Sequence, residues 1–283
     1  MTHDTISRGT ALAALALALG ALGAPAAQAD TSVAADASAQ NVTAYATTAA
    51  WSRKDADGRY RLVVASGATI ADAPVPASST PYDPDLGPTK ANGRAIVYAR
   101  GGDLYRYDVG AAAEQKLTAL SSTATESAPS YWKDTIVFSR TTGRNPGTYL
   151  ARPGRRLTRI FRTVAAETDV AQTRIVGRYG EGTHSIIRIL NMNATDVKIV
   201  ARAQTEQRLA SPTLTRFNAI WLRVARTATT VEIVGVNAHR GLDVLHADRA
   251  LPAGVDALAS SKIPTLYTGA GGVRLIQPKL RFG

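Results

Sequence analysis

Ala95-Ile96-Val97-Tyr98-Ala99-Arg100 and Thr135-Ile136-Val137-Phe138-Ser139-Arg140 are two β-rich runs forty residues apart, preceded by the polar turns Asn92-Gly93 and Lys133-Asp134. Each is followed by a second strand candidate and then by Leu-Thr, at Leu117-Thr118 and Leu157-Thr158, again forty apart. A fixed period near forty, built from short strands, marks a repeat that forms one small sheet and buries its faces only against neighbouring copies. Radial stacking of such sheets is a β-propeller.

Outward from this pair, the residue near the centre of the most hydrophobic strand recurs at Trp51, Tyr98, Phe138, Gly177, Leu222 and Tyr267, at intervals of 47, 40, 39, 45 and 45. Pro88, Pro129 and Pro212 lie eight, seven and eight residues before Ile96, Ile136 and Ile220, a spacing that fits a short inner strand, a turn, then the apolar strand. A third strand with period-two alternation follows at Asp103–Val109, Ser185–Leu190, Val231–Val236 and Val273–Ile276. Fourth strands read Gln115–Thr118, Arg155–Thr158, Val197–Val200 and Leu242–Leu245, and no segment sustains a helical apolar face. Near-equal periods favour radial repetition over a β-sandwich. The expected fold is therefore an all-β, six-bladed β-propeller of four-stranded antiparallel blades, at about 41–80, 81–123, 124–165, 166–205, 206–250 and 251–283. The last repeat is short. Its outer strand should be borrowed from the start of the mature chain or from Lys279-Leu280-Arg281-Phe282, closing the ring against exposed sheet edges.

The run Asp103-Leu104-Tyr105-Arg106-Tyr107-Asp108-Val109, followed by Leu117-Thr118, resembles the repeat of TolB-like secreted β-propellers, best over residues 82–165. The usual Ser-Pro-Asp-Gly turn of that family is missing; Asn92-Gly93 and Asp57-Gly58 alone keep a glycine there. The resemblance implies a fold, a periplasmic or extracellular setting, and protein or ligand binding rather than catalysis.

The ends of the chain agree with export. Arg8 precedes an unbroken Ala/Leu/Gly run from Ala11 to Leu22, and Ala27-Gln28-Ala29 supplies a small-x-small cleavage pattern. Twelve apolar residues fall short of the roughly twenty that cross a bilayer. Residues 1–29 are expected to be a signal peptide, and 30–283 a single secreted, monomeric propeller domain with no membrane insertion. The absence of cysteine excludes a lipoprotein anchor, a disulfide scaffold and thiol catalysis.

Few constellations point to chemistry. His239 and His246 flank Asp243, with Asp248 beyond, but a seven-residue gap matches no common zinc spacing. Asp55-Ala56-Asp57-Gly58 has the start of a calcium loop without the distal Glu, and reads as a hairpin turn. No Gly-x-Ser-x-Gly elbow occurs, and Gly177, Gly180 and Gly182, like Gly269, Gly271 and Gly272, read as turn glycines. No cofactor or metal is expected, and no catalytic residue is assigned. The alternative is a propeller-fold glycoside hydrolase or polysaccharide lyase acting on extracellular carbohydrate. Glu126, Asp169, Asp256 and Asp83 occupy comparable places just before inner strands. Two or three channel carboxylates within about ten ångströms would revive hydrolysis.

Charge supplies the remaining signal. The chain carries +11, with seven acids against five bases in 30–90 and fourteen against twenty-seven in 91–283. Between Asp134 and Glu167 no acid occurs, yet seven arginines do: Arg140, Arg144, Arg152, Arg155, Arg156, Arg159 and Arg162. Arginine suits planar contact with phosphate or carboxylate. A solvated face is the plain reading of such a run. The functional reading is a contact surface for a protein or an anionic cell-envelope polymer, with nucleic acid disfavoured. A secreted binding or scaffolding propeller is the expectation.

Overall fold

The computed structural model describes residues 31–193, 195–235, 245–247, 250–251, 255, 257–260, 265–269, 272–276 and 280–282. The expected signal segment lies outside them, as do His239, Asp243, Asp248, Asp256 and Gly271. Apart from one 3-10 turn at Gly182–His184, every regular element described is a strand.

Strand β1 (Thr31–Ala34) opens the described chain. Five antiparallel sheets then follow from consecutive strands. The first holds β2 (Gln40–Tyr45), β3 (Thr48–Lys54), β4 (Tyr60–Ser66) and β5 (Thr69–Asp72). The second holds β6 (Asp85–Pro88), β7 (Arg94–Arg100), β8 (Asp103–Asp108) and β9 (Ala113–Lys116). The third holds β10 (Glu126–Trp132), β11 (Thr135–Arg140), β12 (Gly147–Ala151) and β13 (Thr158–Phe161). The fourth holds β14 (Ala165–Ala171), β15 (Arg174–Tyr179), β16 (Ile186–Asn191) and β17 (Lys198–Arg202). The fifth holds β18 (Arg208–Leu214), β19 (Asn218–Val224), β20 (Thr229–Gly235) and β21 (Leu245–Ala247). A further sheet combines β22 (Ala257–Ala259), β23 (Thr265–Gly269) and β24 (Gly272–Ile276) with β1, which pairs with β24. Strand β25 (Leu280–Phe282) pairs with β21 and makes the fifth sheet five-stranded. Of the two segments expected to complete the last repeat, the N-terminal one does so, while the C-terminal one extends the blade before it.

This is a β-propeller with four-stranded antiparallel blades. The core lies between blades rather than within them, because a lone sheet has no second layer to cover it. Ala50 and Leu62 of the first blade pack with Leu86, Ile96 and Tyr98 of the second. Ala95 and Leu104 meet Tyr131 and Phe138; Val137 and Leu150 meet Val170 and Ile175; Val176 and Ile187 meet Leu209 and Trp221; Ala210 and Leu222 meet Leu258. Ala257, Ala259 and Val273 then pack on Val42, Trp51 and Val63, so the last sheet meets the first blade.

Every anchor residue read from sequence lies on the second strand of its sheet. Register corrects one by a single residue. Ala50, Val97, Val137, Val176 and Ile220 face Thr43, Asp85, Ser130, Asp169 and Thr213 of the inner strands. The equivalent of Trp51, Tyr98 and Phe138 in the fifth blade is therefore Trp221, not Leu222. Gly177 holds the place of an aromatic residue, and the ring of Tyr179 occupies the missing volume: a Cβ on Gly177 would lie 3.0 Å from Tyr179 Cε2.

The shared proline is corrected similarly. Pro129 and Pro212 sit inside the inner strands at β-bulges, one residue after Ala128 and Ser211, whose φ angles are 46° and 50°. The matching proline of the second blade is Pro84, two residues before Leu86 as Pro212 is before Leu214; Pro88 lies at the far end of β6, paired with Arg94. A proline lacks the N–H that a regular ladder needs, so the bulge is where it fits.

Candidate functional site

The inner strands β2, β6, β10, β14, β18 and β22 surround a cavity of about 620 Å³. Among the described residues four carboxylates line it: Asp83, two residues before β6, Asp85 at its first position, and Glu167 and Asp169 in β14. All four are half-buried. Three of them are held by the neighbouring inner strand. Asp85 Oδ2 accepts the N–H of Tyr131 at 2.5 Å, and Asp169 Oδ2 accepts the N–H of Leu214 at 2.6 Å. Thr43 Oγ1 accepts the N–H of Leu86 at 2.9 Å and donates to Asp85 Oδ1 at 3.2 Å. In each of these latches the donor N–H lies one residue past the matching position of the next inner strand. The backbone N–H exposed on one blade is thus satisfied by a side chain from the blade before. Glu167 is held differently: its Oε1 accepts from Arg178 at 2.9 Å, and its Oε2 accepts the N–H of Ser211.

Asp83 is the exception. Its carboxylate makes no hydrogen bond to another described residue. Burial, reinforced by the negative charge of Glu167, pushes it up to about 7. Asp85 is raised by burial and then by the charge of Asp169, against the pull of the Tyr131 N–H and the Thr43 hydroxyl. Burial raises Asp169 as well, opposed by the Leu214 N–H and the Thr213 hydroxyl. Among the described residues no three carboxylate, imidazole or thiol groups converge closely enough to hold a metal ion.

Of the acids singled out from sequence, Asp83 and Asp169 reach the channel lining, whereas Glu126 does not. Glu126 is buried beside Arg140, whose Nε donates to its Oε1 at 3.1 Å. Asp85 and Glu167, which no spacing in the sequence marks, join Asp83 and Asp169 in the lining. Asp55 caps its own hairpin, accepting the N–H groups of Asp57 and Arg59 at 3.1 and 2.9 Å, as a turn rather than a calcium loop does.

The seven arginines do not form one cluster. Consecutive strands of a blade run in opposite directions, so alternate connections emerge at opposite ends. Arg152, Arg155 and Arg156 lie on the β12–β13 connection, at the end of the blade that carries the β10–β11 turn. Arg144 lies on the β11–β12 connection and Arg162 just past β13, at the other end; Arg159 lies between, on β13. Arg140 is committed to the interior, stacked on Tyr149 at 4.6 Å in addition to its ion pair. Arg152 reaches Asn193 of the fourth blade at 3.5 Å. Arg144, Arg155, Arg156, Arg159 and Arg162 are exposed and form no ion pair with a described residue.

No protein-family model matches the sequence, and neither does any curated protein. The fold is similar to several solved structures. TolB from Acinetobacter baumannii superposes with a TM-score of 0.57 at 11% identity, over 86% of this chain and 57% of that one. Oligogalacturonate lyase in complex with manganese gives 0.55 at 9%, over 83% and 73%. The β-propeller domain of the Trilobed protease from Pyrococcus furiosus gives 0.52 at 10%, over 87% and 83%. The chain thus spans under two thirds of TolB. At these identities the likeness is one of fold alone, and at that level the resemblance to TolB-like propellers holds.

Proposed function

We propose that the chain is a secreted binding or scaffolding propeller whose ring counts six blades, the mixed sheet of β1 and β22–β24 being the sixth. Cleavage after Ala29 would leave β1 near the mature N-terminus, ready to complete that sheet. The partner is an anionic protein or cell-envelope polymer, and the contact surface is the outer strand and loops of the third blade.

One observation carries this reading. Arg53, Arg61, Arg100, Arg106, Arg140, Arg174, Arg178 and Arg223 all form ion pairs within the protein. Arg144, Arg155, Arg156, Arg159 and Arg162 form none with a described residue and stand exposed along one blade. Arginines left unpaired and concentrated on one sector are available to carboxylate or phosphate from outside.

Hydrolysis of carbohydrate is the second reading, favoured by the four channel carboxylates. A glycosidase needs two carboxyl groups free to exchange protons or attack the sugar. Here Asp85, Glu167 and Asp169 are each tied to a backbone N–H of the next blade. That leaves Asp83 alone, which supports binding over catalysis.

Retention on heparin as salt is raised tests the rim. Replacing Arg155, Arg156 and Arg162 together with Ala should move elution to markedly lower salt, because counterion release scales with the contacts made. Replacing Arg59, Arg202 and Arg226, also exposed, removes the same charge elsewhere and should matter much less. Equal shifts from the two sets would mean that net charge alone is responsible.

A further inference from the structure

The cavity has a floor. Tyr45 ends β2 and Trp132 ends β10, strands of blades with another blade between them. Their rings nevertheless meet edge to face, 5.8 Å apart at 83°. Trp132 also packs against the apolar core between the third and fourth blades and that between the fourth and fifth. The pair therefore reaches across the end of the channel where the inner strands finish.

Above this floor the carboxylates form two tiers. Asp83 lies two residues before β6 and Glu167 near the start of β14; Asp85 and Asp169 lie two residues further along. At about 3.3 Å per residue the tiers are roughly 6–7 Å apart along the axis. Among the described residues the charged groups lining this space are those four acids and Arg216, which follows the end of β18 on the floor side and stacks on Phe217; Arg178, outside the lining, is paired to Glu167. In a chain of net charge +11, its central cavity is lined by acids. What exposure Asp83 has is onto the cavity, and its carboxylate has no hydrogen-bond partner among the described residues.

We propose that the channel is a binding site for a linear aliphatic polyamine. One ammonium group is held by Asp83 and Glu167, the next by the Asp85 and Asp169 tier, and the alkyl chain or terminal ammonium rests on the Tyr45–Trp132 pair. Three or four methylenes between amines span about the distance between tiers set by the strand rise. An ammonium against an aromatic face gains further attraction when desolvated. The volume lies within the range of small-ligand sites, roughly 300–1,000 Å³. This site is separate from the arginine rim and carries a ligand of the opposite charge.

Calorimetric titration of the secreted chain with spermidine at pH 8 tests the proposal. Saturable one-to-one binding is expected, weakened tenfold or more by Asp83→Asn and also by Trp132→Leu, with both variants still folded, as a single cooperative melting transition above the titration temperature shows. Asp72→Asn, which alters an acid outside the channel, should leave affinity unchanged. The tripeptide Lys-Ala-Lys, added instead, should bind more weakly than spermidine. No binding of spermidine, or equal binding by Asp83→Asn, would overturn the site. Binding of the tripeptide but not of spermidine would overturn the polyamine, since the ammonium would then be a peptide's.

Discussion

Arg140 Nε donates to Oε1 of Glu126 at 3.1 Å, and the Glu126 side chain is wholly buried, with its Oε2 lacking any hydrogen bond. The arginine that opens the acid-free stretch is therefore a counter-ion of the interior. It also donates to the carbonyl of Leu120 at 2.9 Å. Arg140→Ala leaves a buried carboxylate without its partner and should destabilise by about 3–5 kcal/mol. Arg155→Ala, at an exposed turn, should stay within about 0.5 kcal/mol of wild type. Urea denaturation midpoints of the two variants check the contrast.

The side-chain latches between inner strands are load points of the ring. Asp85→Ala removes the acceptor of the Tyr131 N–H and one partner of the Thr43 hydroxyl. A buried donor left without an acceptor costs about 1–3 kcal/mol. Asp85→Asn keeps an acceptor oxygen and should lose less. A fall in the denaturation midpoint ordered Ala below Asn below wild type is the expected result.

Stability should decline as pH rises from about 4 to 7. Asp83 is ordinarily a carboxylate near 3.8, and in the fold it is pushed up to about 7. Between those values the folded chain holds a proton that the unfolded chain has released, so stability is fully present at the acid end and is lost as pH climbs through the folded value. Asp85 and Asp169 are shifted in the same direction. Asp83→Asn should therefore be more stable than wild type at pH 8 and show little gain at pH 5. Melting curves at the two values read the difference.

Gly272 has a φ of +111°, and a Cβ there would sit 2.0 Å from the carbonyl oxygen of Ala34. It lies where β1 docks on β24. Gly272→Ala should lower the melting temperature by several degrees and expose the N-terminal segment to protease. Gly67, with φ +60° and no atom within 4 Å of an added Cβ, offers the comparison. Gly67→Ala carries only the left-handed backbone penalty, about 1–2 kcal/mol.

Much of the architecture was legible because the second strand of each blade is sandwiched between neighbouring blades and must be apolar along its length. Tyr98 and Phe138 announce that position. The Gly177 repeat read weakly because the bulk had moved two residues along, to Tyr179, which no strand pattern reveals. Trp221 and Leu222 are both apolar and adjacent, so the sequence pattern does not separate them; the pairing of Leu222 with Ala210 and of Trp221 with Glu232 does. The channel site was harder to see. Its latches are Thr in one blade and Asp in two others, so what recurs is an acceptor at a register position rather than a residue type. The arginine run is legible as a feature of one blade, but not its distribution over that blade. Proximity along the chain places these residues on one sector, while the antiparallel strands carry Arg155 and Arg162 to opposite ends of it.

Thr31 pairs with Leu275, two positions 244 residues apart in the chain. The other blades are assembled from hairpins, local contacts that form early; this pairing joins the two extremes and comes late. During folding the N-terminal strand must wait, unpaired, until the strand it joins is in place. A chain truncated before residue 272 would lack β24 and leave Thr31–Ala34 unclaimed, whichever blades it had formed. The ring is therefore also a check on synthesis, because only a chain that includes β24 can shut.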